Sequence, residues 1–330
     1  MGLFMGMSML LEGRTGPVPS GGRVELSQAT YAEIGPRGPT MQFDLFNDSQ
    51  GVALRNDVIH AVLQGDVIAA RLAWETLRHT CPHDDSLVPL GVLVTALAER
   101  TSVPLASHET LARERHALHQ TLAPAAQSTM GAVDAAAWLR VRWQELAQRA
   151  ARLPYQPERP EDHAAPLWLC AAEWQAAADA VAGIASWRRI PLPLAWMLQA
   201  RLHLLGLQAS WPLLAELAWL APERLDAVAR AVRDPMLQSP LLKFEQGFEG
   251  EGDTSDLAWF PAWMLIQQPA LAPTLTQAQA SQHRPPEQAM RLLLVLLGLE
   301  RQGRQRELIE HRKALRVLSG ALYGLYMARR

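Results

Sequence analysis

The chain has 330 residues, 49% hydrophobic and 19% charged, which is ample for a core and excludes disorder throughout. A formal net charge of -2 supplies no global field to gather nucleic acid or an anionic membrane. Two cysteines, Cys81 and Cys170, cannot build a disulfide framework or a four-thiolate zinc site.

Of the 31 basic residues only Lys243 and Lys313 are lysine. The acids are as numerous and lie among the arginines, so this bias reads as the codon usage of a GC-rich bacterial genome rather than as phosphate recognition. Residues 1–40 hold eight of the 21 glycines and four prolines, a composition that resists packing. They are expected to form a flexible extension, or to reflect a gene start placed upstream of Met41. The apolar Met1–Leu11 stretch lacks the preceding positive charge and A-x-A site of an export signal, so the chain is expected to be cytoplasmic.

Beyond Asn56, apolar residues recur at spacings of three and four, with Ala and Leu dominant, which predicts an all-α protein. Only Met41–Phe46 reads as extended, placing Met41, Phe43 and Leu45 on one face. Gly65-Asp66 separates helices over 56–64 and 67–80, and Pro82 closes the pair. Further helices are expected over 85–99, from Ser107 to 122, and over 129–152. Three prolines in Leu153–Pro160 then forbid a helix, so 153–163 divides a 41–152 subdomain from a 164–330 subdomain, as a hinge or a long connection.

The second subdomain is predicted to contain helices over 164–188, 194–207, 210–220, 222–233 and 240–248, the last with Pro240 in its first turn behind a Ser239 cap. Another follows Asp253–Asp256 and ends at Pro269 and Pro273. The final pair spans 286–302 and 304–328 around Gly303. The expected fold is an irregular helical-hairpin solenoid or layered bundle of about 12–14 helices. No run reaches the roughly 20 apolar residues of a membrane span.

Within Leu54–Pro82, Gly65-Asp66 occupies a turn, with the small Ala70, the aromatic Trp74 and Pro82 at fixed distances beyond it. This arrangement resembles the latter part of a tetratricopeptide (TPR) repeat. The turn needs a permissive residue, helices approach at the small one, and the aromatic fills the gap to the next pair. The helix after Pro82, with Leu90, Leu93 and Leu97 on one face, continues such a stack. The resemblance implies binding or scaffolding and brings no catalytic residue.

His116 and His119 share a helix face but lack a third ligand for zinc, and His79, Cys81 and His83 read as a helix end. Glu245, Glu249, Glu251, Asp253 and Asp256 flank three glycines ahead of a helix. They read first as caps that complement the helix dipole, with a divalent ion or a basic partner as alternatives. Trp259 and Trp263 follow four apart and are therefore expected on one helix face, as core aromatics beside a recognition edge. Residues 301–330 carry a local net charge of +6, including Arg304, Arg312 and Arg316, over a stripe that includes Leu315, Leu318, Leu322 and Tyr326. This is a solvated helix face that also suits an acidic protein surface or RNA, and its sign, opposite to that of the 245–256 loop, allows intramolecular pairing or head-to-tail contact between copies.

No P-loop, dinucleotide fingerprint, nucleophile elbow or H-E-x-x-H motif is present. From the helical architecture, the expected function is non-enzymatic protein–protein interaction or scaffolding, with another protein or with copies of the same chain as partner, and with no cofactor and no membrane partner. Glu249, Glu251, Asp253, Asp256, Trp259, Trp263, Arg304, Arg312 and Arg316 are the candidate partner-binding residues. A cryptic all-α enzyme with a carboxylate-lined site at 249–256 is the alternative, and RNA binding by the basic last helix is the second.

Overall fold

The computed structural model describes residues 40–279 and 284–330, with side chains from Gln50 onward. The expected extension lies outside them, apart from Thr40. The described residues are all-α, without a strand.

The chain opens with α1 (Thr40–Gln64) and α2 (Val67–Thr80), which form a hairpin closed on α3 (Leu87–Ala98). The arm expected at Met41–Phe46 is helical instead, because α1 continues through it without interruption. Six residues of alternating apolarity are too few to separate a strand from a helix end. Gly65 turns the chain at φ 74, and the Asp66 carboxylate accepts the Ile68 and Ala69 N–H groups at 3.0 and 2.9 Å. Ala70 is fully buried, and the Trp74 indole N–H donates to the Leu87 carbonyl at 3.0 Å, tying α2 to α3. Gly91 on α3 lies against the Trp74 ring: a Cβ there would meet it at 3.1 Å. Gly91→Val is therefore expected to cost about 1–3 kcal/mol by overpacking. Urea denaturation checks this, and an unchanged midpoint would mean that Trp74 does not occupy this seam.

Ser107 caps α4 (His108–Ala117), its hydroxyl accepting the Thr110 N–H. The helix then runs through a π-turn (Leu118–Leu122) into α5 (Ala123–Ala150). The break expected near residue 123 falls at Gly131 (φ 75, ψ 166) instead. Pro124 is accommodated upstream by the π-turn, in which the Ala123 N–H reaches back to the Leu118 carbonyl.

The second half is organised around α8 (Pro191–Leu220), which bends at Gly206 and is apolar on nearly all sides. Such a helix belongs in an interior. It is flanked by α7 (Trp174–Ala182), α9 (Pro222–Val232) and a 3-10 turn (Thr254–Trp259), with α11 (Phe260–Gln267) and α12 (Ala272–Leu275) also against it. The expected 164–188 helix is divided: α6 (Ala164–Cys170) ends before Ala172 at φ 58, and a 3-10 turn (Trp187–Arg189) follows α7. A helix does begin before Pro240, as α10 (Pro235–Gly247), but its cap is Asp234, which accepts the Met236 N–H; Pro240 sits inside. The last segment comprises α13 (Pro285–Gln302), α14 (Gln305–Leu318) and α15 (Gly320–Ala328). Ser319 splits the expected 304–328 helix by capping the Leu322 N–H.

Two clusters of buried side chains result. One spans Val58 to Ala171 and the other Ala165 to Tyr326. They meet at α6, which contributes Ala164 and Leu167 to the first and Ala165 and Leu169 to the second; Trp168 borders both.

The proline-rich connection is pinned across this joint. The His108 Nε2–H donates to the Pro154 carbonyl at 2.8 Å, and Arg115 holds Glu161 at 3.1 Å and Asp162 at 3.2 Å. His163 caps α6 by accepting the Ala165 N–H, and its ring stacks on Trp196 with the Tyr155 edge beside it.

Candidate functional site

The acidic loop and the basic C-terminal helices occupy different parts of the second half. In the loop, two carboxylates are committed to backbone groups. Asp256 accepts the N–H groups of Glu251 and Gly252 at 3.0 and 2.7 Å, and Asp253 accepts the Ser255 N–H at 2.7 Å. The Ser255 hydrogen bonds hold the Asp253 carboxyl below the usual carboxylate range. Gly250 lies so close under Asp256 that a Cβ there would collide with it. This is a capped turn in which Glu249 and Glu251 point to solvent. Among the described residues, no group of three or more His, Cys, Asp or Glu is placed to hold a metal ion.

Asp256→Ala is expected to loosen this turn at a cost of about 1 kcal/mol. The thermal midpoint of the wild type should not respond to Ca²⁺ or to a chelator. A Ca²⁺-dependent rise that the Ala variant abolishes would establish an ion site instead.

Behind the loop, Trp263 is buried in the second core, its ring edge-on to Phe244 and stacked on Phe260. Trp259 lies in the 3-10 turn and is half-buried beside Phe248. The two indoles therefore do not form one exposed face: Trp263 is a core residue, and Trp259 sits at the rim. The expectation of a shared helical face fails because the helix proper starts only at Phe260.

The arginines also divide. Arg312 faces inward, where its Nε–H donates to the Tyr326 hydroxyl at 3.3 Å and its guanidinium lies 3.5 Å from Glu300. The Tyr326 hydroxyl donates to the same Glu300 carboxylate, whose other oxygen pairs with Arg330 at 2.8 Å. Burial first, then the bond to Glu300, holds the Tyr326 phenol above its ordinary range. This Glu300–Tyr326–Arg312–Arg330 cluster backs a half-open cleft of about 210 Å³ lined by Ile266, Pro269, Tyr326, Arg329 and Arg330. That volume is below the ~300–1,000 Å³ of common small-molecule sites. Its groups are already paired with one another, and Arg329 bonds to Gln267.

Arg304 and Arg316 point outward. Arg304 pairs with Glu307 one turn on, while Arg316 lies over the Tyr323 ring at 5.9 Å. No ion pair links the 245–256 loop to the C-terminal arginines among the described residues.

Neither Glu300 nor the buried His163 was singled out from sequence. Their partners are distant along the chain, so no local spacing marks them. Of the two histidines expected to share a helical face, His119 packs on Trp143 with ring centres 4.6 Å apart, and burial lowers its pKa.

Among the described residues, no helix is long and apolar enough to cross a membrane. Comparison of the chain with protein-family models, curated proteins and solved structures found no match.

Proposed function

We propose that this chain is a non-enzymatic, TPR-like helical-repeat protein of the bacterial cytoplasm, mediating protein–protein interaction or scaffolding. The observation that carries this reading is the α1–α3 layer. The reading is supported by Gly65 at positive φ in the turn, Asp66 capping α2, Ala70 buried within the layer and Trp74 bonded to α3. A stacked helical layer buries one face against the next element and offers the other to a partner. Here the outward side of α2 exposes Ile68 (74%) and Leu72 (60%), one turn apart.

Away from α2, the loop carboxylates Glu249 and Glu251, bordered by Trp259, and the outward Arg304 and Arg316 are separate proposed recognition surfaces, where apolar groups supply affinity and charges set orientation. Trp263, Arg312, Asp253 and Asp256 hold the supporting structure of these surfaces. An ion-dependent enzyme at 249–256 is disfavoured because Asp253 and Asp256 already serve backbone donors.

Affinity capture from the native cell, with the wild type and the double variant Ile68→Asp, Leu72→Asp in parallel, tests this. The expected result is a defined protein set retained by the wild type and lost from the variant, with helicity and midpoint unchanged. Identical captures from both would contradict a role for this face.

A further inference from the structure

Helix α14 is held by little of its own surface. Only Leu308 and Leu315 are buried, and its far side is solvent-exposed. At 100° per residue, Arg306, Ile309, Lys313, Arg316 and Val317 fall within an arc of about 100° on that side. Ile309 is 53% and Val317 89% exposed, while neither Arg306 nor Arg316 is in an ion pair among the described residues. Lys313 pairs only with the exposed Glu310 on its own helix. A β-branched pair framed by three cations suits an acidic, partly apolar surface.

The chain carries such a surface elsewhere. On α10, Leu242 is 54% exposed and shares a side with Glu245; Glu249 and Glu251 extend the same acidic run. None of these three carboxylates is in an ion pair among the described residues. Among the described residues no ion pair joins the two surfaces within one molecule; α14 packs chiefly on α13 and α15, and α10 on α11.

We propose that the α14 face of one copy docks on the α10–loop face of a second copy, in a head-to-tail contact. This deepens the interaction reading above, on which it rests, by naming one partner as the chain itself. Such a contact is heterologous: each copy uses one surface of each kind, so association propagates unless the geometry closes a ring. The apolar residues Ile309, Val317 and Leu242 supply contact area. The opposed charges fix orientation and make association sensitive to salt, since the Debye length shrinks from about 10 Å at ~0.1 M to about 3 Å at ~1 M.

Light scattering on the full chain across a concentration series tests this, with two triple variants: Arg306→Glu, Lys313→Glu, Arg316→Glu, and Glu245→Arg, Glu249→Arg, Glu251→Arg. The wild type should exceed the monomer mass at low salt and return to it at high salt. Each variant alone should stay monomeric, because its two surfaces then carry the same sign. Mixing the two should restore association, since each reversed surface finds its complement. A monomeric wild type at every concentration, association unaffected by either reversal, or a mixture that stays monomeric overturns the proposal. The capture experiment on Ile68 and Leu72 reads a different face, so self-association can fail while the broader interaction reading stands.

Discussion

Trp211→Ala is expected to lower the unfolding free energy by about 3–5 kcal/mol, the range for removing a large aromatic from a core that cannot collapse around the gap. Trp211 lies on α8 just beyond the Gly206 bend, nearly inaccessible to solvent, with its ring 5.8 Å from Phe260. Around it Leu213, Leu214, Leu217 and Trp219 are equally buried. Trp263→Ala should fall in the same range of about 3–5 kcal/mol, whereas Trp259→Ala at the rim should cost less, roughly 1–2 kcal/mol. Urea denaturation with an unchanged slope checks the order. A Trp263 variant as stable as the wild type would return that residue to the recognition edge and remove it from the core.

The second large effect is on acid stability. Burial, followed by the nearby His108, holds the His163 imidazole well down, to about 4 from an ordinary 6.5. The unfolded chain therefore binds this proton at a higher pH than the folded one. The stability associated with a neutral His163 is fully present above pH 6.5, declines as pH falls through the window, and is gone below about 4. The shift corresponds to about 3 kcal/mol at most. The geometry supports the direction, because Nδ1 accepts the Ala165 N–H and the ring is stacked on Trp196. His163→Asn keeps an N-cap acceptor but cannot titrate. It should therefore be less stable than the wild type near neutrality, through the lost stack, yet show a flatter stability profile between pH 6.5 and 4. Parallel profiles would mean that His163 does not titrate with folding.

Much of the helical order was legible because punctuation and periodicity agree. Gly65-Asp66, Ser107 and Gly303 each stand at a cap or bend where a permissive or capping residue is required. Misreadings arose where two local signals competed. Asp234-Pro235 and Ser239-Pro240 both resemble helix starts, and the upstream pair wins because Asp234 captures the Met236 N–H. Around residue 123 the periodicity is expected to break, yet a π-turn carries the helix past Pro124, and Gly131 makes the break eight residues later. Ser319-Gly320 carries a cap signal that the long apolar stripe obscured.

The candidate surface was less legible, since exposure is a tertiary property. Charge spacing identified the 245–256 loop and the C-terminal arginines. It did not show that Arg312 turns inward to Glu300 and Tyr326 while Arg316 turns out. Likewise, a four-residue spacing placed Trp259 and Trp263 on one helix face only if the helix began before Trp259. The 3-10 turn shifts that register.

The most direct test of two helical cores joined through α6 is hydrogen exchange, read by mass spectrometry on the full chain. The slowest exchange is expected in α3, the second half of α5, α8 and α11, with α6 protected alongside them and α10 and α14 faster. Exchange in α6 as rapid as in the neighbouring loops, with both flanking cores still protected, would contradict it.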